Sequence, residues 1–211
     1  MRISLLALGM LWCSMATAEI ATSADRVHPL LPGTSVPEVS LQDHQARPVT
    51  LQQALGGKPT LLVFYRGGWC PYCNAQLSAL HKLVPDLAEH GFQLIAVSPD
   101  RPEELSRTLD KTELGYTLLS DNRAELMQAF GIAFRVDPET IEKYKTYNID
   151  LEQASGHDHH ALPVPSVFVI DAAGVVQFGY SNPDYRTRVP ERIVRAAVEA
   201  VEAGDTGKSV R

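Results

Sequence analysis

Hydrophobic and polar positions change their period several times along this chain. The run PTLLVFY (residues 59–65) is apolar without a break over the length of a strand. Such a run predicts a strand covered on both faces, and hence a central parallel strand. FQLIAVSPD (92–100) and TLLSD (117–121) predict two more strands, and PSVFVIDAAGVVQFGYS (165–181) predicts a pair joined by a turn at Asp171 to Gly174. Between strands the period lengthens. Leu77, Leu80, Leu83, Val84 and Leu87 recur at helical spacing until Gly91, and Pro85 is expected to kink that helix because it lacks a donor and crowds the carbonyl of His81. RPEELSRTLDKTEL (101–114), RAELMQAFG (123–131) and ERIVRAAVEAVEA (191–203) predict further helices, the first opening on Pro102 with Glu103 and Glu104 at its positive end. The Pro- and Gly-punctuated stretch before residue 59 predicts an extended arm, a short hairpin and a helical turn. Alternating strands and helices ending in a hairpin predict an α/β fold with a central mixed β-sheet flanked by helices. The stretch between Phe130 and Pro165 is too long for a plain connection and predicts an insertion.

Two features narrow the setting. The formal net charge of −6 has both signs interspersed, so no basic face is on offer for nucleic acid. Residues 1–18 carry Arg2, an apolar run from Ile3 to Met15 and the small residues Ala16-Thr17-Ala18, the pattern of a signal peptide cleaved after Ala18. The run is short of the roughly 20 apolar residues needed to cross a bilayer, so no stable membrane insertion is expected after cleavage. Export into the periplasm follows as an expectation. One domain is expected over residues 19–203, with 204–211 as a loose tail. Cleavage also removes Cys13, leaving Cys70 and Cys73 as the cysteines of the mature chain.

Three chemistries suit a pair at this spacing. A structural zinc site needs four ligands, and His157, His159 and His160 lie far along the sequence in a polar stretch that reads as a solvated loop. A structural staple closing so short a loop removes little unfolded-state entropy. Redox chemistry has a physical cause. With Pro71 at the first helical position, Cys70 becomes the cap residue, its sulfur beside the unsatisfied N–H groups and the positive end of the helix dipole. Arg66 adds positive charge nearby, so Cys70 is the expected nucleophile and Cys73, one turn on, the resolving thiol. Asp121 and Asp171 follow strands and are expected to bond nearby backbone in turns.

With these residues in view, YRGGWCPYC, between a strand and a helix carrying a proline, resembles the thioredoxin superfamily. FYRGGWCPYCNAQL, AVSPD, LLSD, AFGI and PSVFVIDAAGVVQFGY resemble, more closely, the peroxiredoxin-like proteins of the alkyl hydroperoxide reductase/thiol-specific antioxidant (AhpC/TSA) family, over roughly Leu31 to Ala203. The resemblance implies a thioredoxin-like fold and a thiol-dependent peroxidase. It implies a cis-proline at Pro165 facing the cysteines and, from RVPERIVR, an arginine against the peroxide, at Arg188 with Arg186 as the near alternative. The family's peroxide-binding threonine is absent: counting back from Cys70 gives Gly67 and Val63, so modest peroxidase activity is expected. The candidate site is thus Cys70, Cys73 and Arg188 as reacting groups, with Arg66, Gly67, Gly68, Trp69 and Pro165 lining it and Trp69 as a wall. No metal or cofactor is expected. The expected partners are a hydroperoxide substrate and an external thioredoxin-like dithiol reductant. The alternative reading is an exported thioredoxin-like oxidoreductase acting on protein disulfides.

Overall fold

The structure, a computed structural model, describes residues 19–109 and 115–205. The expected signal peptide, Cys13 and residues 206–211 of the expected tail lie outside them. A hairpin of β1 (Ser40–Gln42) and β2 (Pro48–Thr50) leads into α1 (Leu51–Leu55). Thr50 and Gln53 cap that helix reciprocally, and Gly56 closes it in the left-handed conformation. The chain continues through β3 (Thr60–Phe64), α2 (Pro71–His81), α3 (Val84–Glu89), β4 (Gln93–Ser98), α4 (Pro102–Leu109), β5 (Thr117–Ser120) and α5 (Glu125–Ala129). After β6 (Ala133–Arg135), α6 (Pro138–Thr146), α7 (Leu151–Ser155) and β7 (Ala161–Pro163), it closes with β8 (Ser166–Ile170), β9 (Val176–Ser181) and α8 (Glu191–Glu202).

Seven strands form one sheet in the order β2-β1-β5-β4-β3-β8-β9. β3 runs parallel to β4 and antiparallel to β8, so the sheet is mixed, as its sequence pattern implied. Every residue of β3 is buried because both faces are covered. Leu61, Val63 and Tyr65 face the layer that contains Cys70, Cys73, Leu77 and Val194, whereas Leu62 and Phe64 face Leu51, Leu126 and Phe130. On that second face the rings of Phe64, Phe130 and Phe168 pack with centroids 5.0 to 6.0 Å apart, tying β3 and β8 to the end of α5.

One expectation changes, and one open stretch is filled. Pro85 does not kink one helix but separates two: α2 ends at His81 with Lys82 as its cap, and the proline sits in the first turn of α3, where its missing N–H is one that no intrahelical carbonyl would have used. The insertion is ordered, and His157 to His160 lie in a loop between α7 and β7, as expected. β6 pairs with β7, Asp137 caps α6 by accepting from the Thr140 N–H at 2.8 Å, and Asp150 caps α7 through the Gln153 N–H at 2.9 Å. Its apolar residues Val136, Leu151 and Leu162 gather with Trp69, Phe134, Ile141, Tyr144 and Ile149. The insertion therefore packs on the tryptophan that precedes Cys70. α4 covers the first part of the helix expected over 101–114; residues 110–114 lie outside the described residues.

Candidate active site

Cys70 is the cap residue of α2, extended at φ −90° and ψ 111°, with Pro71 at the first helical position. Its carbonyl accepts from the N–H groups of Cys73 at 3.1 Å and Asn74 at 3.0 Å, and its own N–H donates to the Gly67 carbonyl at 3.1 Å. A tight turn thus delivers the sulfur to the helix start. Both cysteines are buried and unbridged. The Cys73 thiol donates to the Cys70 sulfur, and this bond is the main reason the Cys70 pKa falls from an ordinary 9.0 to about 6; burial opposes it, and the Cys73 N–H and the charges of Arg66 and Arg188 assist. The same bond, with burial, drives the Cys73 thiol strongly upward. The pair is therefore asymmetric: a thiolate at Cys70 held by a protonated Cys73.

Two cations flank the pair by different routes. Arg66, which follows β3, is only 3% exposed. Its guanidinium lies 4.2 Å from the ring centre of Tyr185, 5.2 Å from Trp69 and 5.5 Å from Tyr144, and it donates to the Tyr144 hydroxyl. A buried cation lacking compensation costs several kcal/mol, and here three π-faces, one hydroxyl and the neighbouring thiolate share that task. Arg188 precedes α8 and donates to Cys73 Sγ at 3.6 Å, anchored by bonds to the carbonyls of Tyr185 and Thr187. Arg186, the near alternative from the sequence, pairs with Asp184 at 2.9 Å in solvent and takes no part in these contacts.

Residues 67–69 fit their positions closely. Gly67 has φ +147°, and a Cβ there would stand 2.3 Å from Trp69 Nε1 and 2.7 Å from Asp100 Oδ1. No β-branched residue fits, which accounts for the missing threonine. Gly68 donates its N–H to Asp100 Oδ2 at 2.7 Å, while a Cβ on it would meet Thr108 Oγ1 at 2.6 Å. Trp69 packs on Tyr144 with ring centres 5.8 Å apart and forms the expected wall. Pro165 is buried between β7 and β8, but the expectation of a cis bond is overturned: among the described residues every peptide bond is trans. The flanking chain is extended, with the Val164 N–H on Ile132 O at 2.9 Å and the Asn182 N–H on Pro165 O at 3.3 Å, and in such a setting the intrinsic trans preference of about 0.5–1 kcal/mol stands unopposed.

Other residues fall where the sequence could not put them. Tyr144 and Tyr185 come from segments distant in sequence and converge on Arg66 only through the fold. Asp100 is 1% exposed, and burial is the main cause that lifts its pKa to about 7. Its signal was SPD directly after a strand. Asp121 accepts from the N–H groups of Leu126 and Met127 at 2.9 and 2.8 Å, and Asp171 from those of Ala173 and Val175, both at 2.9 Å, as local turn and cap residues do. His157 and His159 stack with ring centres 6.0 Å apart, but among the described residues the three histidines form no cluster suited to a metal ion. His159 bonds to Asn122 O and the Ala161 N–H, and His160 to Glu152.

A buried, asymmetric dithiol at a helix start beside a mixed sheet defines a thiol oxidoreductase of thioredoxin-like architecture. The AhpC/TSA family model matches residues 32–178, and the chain belongs to that family. It is 33% identical over 106 residues to peroxiredoxin Bcp of Escherichia coli K12, covering 50% of this chain and 67% of that relative. It is also 27% identical over 150 residues to the chloroplastic peroxiredoxin Q of Sedum lineare, covering 71% and 68% of the two chains. Among solved structures, peroxidoxin BcpB of Mycobacterium tuberculosis matches with a TM-score of 0.62 at 21% identity, covering 81% of this chain and 97% of the other. A thiol peroxidase from Chromobacterium violaceum matches at 0.65 and 18%, covering 87% and 97%. At such identities the structural likeness carries the fold.

Proposed function

We propose that this chain is a thiol-dependent peroxidase that reduces hydroperoxides through a Cys70–Cys73 dithiol/disulfide cycle. The observation that carries this reading is the pairing of a Cys70 held as thiolate by the Cys73 thiol with two arginines beside it. The Cys70 sulfur attacks one peroxide oxygen, the O–O bond breaks, and the electron pair leaves on the other oxygen. Positive charge from Arg66 and Arg188 stabilises that developing anion, which takes a proton and departs as alcohol or water. Cys70 is left as sulfenic acid. Cys73 then attacks the Cys70 sulfur, the S–S bond forms and water leaves. An external thioredoxin-like dithiol reduces the disulfide by exchange. Trp69, Tyr144 and Tyr185 limit access to the sulfur, and Gly67 and Gly68 let the chain turn closely enough to present it. The apolar stretch with its small-residue end in residues 1–18 supports export to the periplasm.

Oxidation of the reduced protein by hydrogen peroxide and by insulin disulfides, measured side by side, tests the proposal. Peroxide should be the faster oxidant. If peroxide reacts no faster than with free cysteine while insulin is turned over readily, the protein is a disulfide oxidoreductase instead.

A further inference from the structure

Arg66 is buried without a counter-charge. Among the described residues no carboxylate lies within ion-pair distance of it, although a cation is normally buried only when paired. Its partners are neutral: the rings of Tyr185, Trp69 and Tyr144, and the Tyr144 hydroxyl, which accepts from Nη2. Neutral partners fix where a guanidinium lies without cancelling its charge, whereas a carboxylate would do both. The charge stays available to an anion that forms during reaction. Of its N–H donors one is spent on Tyr144, and the buried Nε–H has no partner.

The same side chain lies where such an anion would form. The turn that presents Cys70 folds back on the residue after Arg66, through the Cys70 N–H on Gly67 O at 3.1 Å. That turn cannot carry a hydroxyl side chain of its own, because a Cβ on Gly67 would collide with Trp69. The hydroxyl at the site comes instead from the insertion. In α6 the apolar residues that reach inward are Ile141 and Tyr144, which gather with Trp69, Val136, Leu151 and Leu162. The backbone of Tyr144 is fixed as well, its carbonyl accepting from the N–H groups of Tyr147 at 2.9 Å and Ile149 at 3.0 Å. Its ring packs on Trp69 at 5.8 Å, and its phenol is kept neutral, burial being the main cause that raises its pKa. An aromatic face attracts a cation without fixing its rotation, whereas a hydrogen bond is directional. Tyr144 is therefore the partner that sets the direction of the Arg66 fork.

Resting on the peroxidase reading, we propose that Tyr144 is a positioning residue for peroxide reduction: its hydroxyl aims the Arg66 guanidinium at the oxygen that leaves Cys70, and the insertion thereby completes the active site. As the Cys70 sulfur takes one peroxide oxygen, the O–O bond breaks and its electron pair leaves on the other oxygen, to which Arg66 donates. In this role Tyr144 touches neither the sulfur nor the peroxide. It acts through the arginine.

Tyr144→Phe removes the hydroxyl and keeps the ring, so it separates aiming from packing. Reduced wild type and variant are mixed at about pH 8, above the Cys70 pKa of about 6, with hydrogen peroxide and separately with iodoacetamide. Both reagents need the thiolate, but iodoacetamide expels iodide rather than an oxyanion. Tyr144→Phe should slow oxidation about tenfold or more, the scale on which a misplaced group costs rate, and change alkylation by less than about twofold. In an Arg66→Gln background the same change should slow oxidation by less than about twofold, because no guanidinium remains to aim. Should Arg66→Gln fail to fold, Arg66→Met, which fills the aromatic cage without charge, takes its place. An unchanged oxidation rate in Tyr144→Phe, equal slowing of oxidation and alkylation, or a full Tyr144→Phe effect in the background lacking Arg66 each overturns the proposal. Oxidation of the wild type no faster than that of free cysteine overturns the peroxidase reading, and the proposal with it.

Discussion

Arg188 donates to the sulfur of Cys73, at 3.6 Å, in the reduced protein. Its charge lowers the pKa of both cysteines. An arginine there sits beside the thiol that is hardest to ionise, so it assists the resolving step as well as the peroxide step. Arg188→Ala is expected to slow peroxide oxidation of Cys70 about tenfold to a hundredfold, the range for losing one preorganised charged donor. Arg186→Ala, which removes only a solvent-exposed pair with Asp184, should leave that rate unchanged within twofold. Single-turnover kinetics of the two variants checks the difference.

Removing the Cys73 thiol removes the largest cause that lowers the Cys70 pKa. Cys73→Ala should therefore raise the pH at which Cys70 reacts with iodoacetamide, and Arg66→Gln should raise it by less. The alkylation rate of each variant as a function of pH measures both shifts.

Gly67 stands where the family resemblance implies a threonine, and placing one there should fail. Gly67→Thr puts a Cβ 2.3 Å from Trp69 Nε1 in a backbone region that side chains rarely adopt. A loss of about 3 kcal/mol or more is expected from strain and overpacking, seen as a lower midpoint in urea unfolding.

Tyr144 closes the insertion over Arg66 and Trp69. Tyr144→Ala should destabilise the fold by about 1–3 kcal/mol and speed alkylation of Cys70 by bulky reagents more than by small ones. Equal acceleration for both sizes would argue against a covering role.

Asp100 and Asp121 are buried carboxyls whose folded pKa values lie near 7, above the ordinary 3.8. A raised acid contributes stability that is complete below its unfolded pKa and is lost as pH rises through the folded value. Thermal stability should thus decline between about pH 4 and 7 on their account. Asp100→Asn should flatten that decline in scanning calorimetry.

Much of this was legible in the chain, for identifiable reasons. The apolar run before residue 65 is read as a covered strand because both faces of β3 are buried. Cys70 and Pro71 announce a helix start because cap chemistry is local. The insertion was not legible: the polar surfaces of α6 and α7 hide the few residues that fold them, and no residue of α6 is buried. Nor was the cage around Arg66, since Tyr144 and Tyr185 reach it only across the tertiary fold. The expected cis-proline came from resemblance, and resemblance fixes a backbone isomer less tightly than it fixes a fold.

The most direct test of the central claim is the second-order rate constant for oxidation of Cys70 by hydrogen peroxide in the Cys73→Ser variant and in the wild type, measured across pH. In the wild type it should exceed the value for free cysteine about a hundredfold or more, as expected where a single positioned donor is worth that much, and rise to a plateau through a midpoint near pH 6. In Cys73→Ser the midpoint should stay below that of free cysteine, with sulfenic acid accumulating. A wild-type rate equal to that of free cysteine, titrating above about pH 8, would contradict the account.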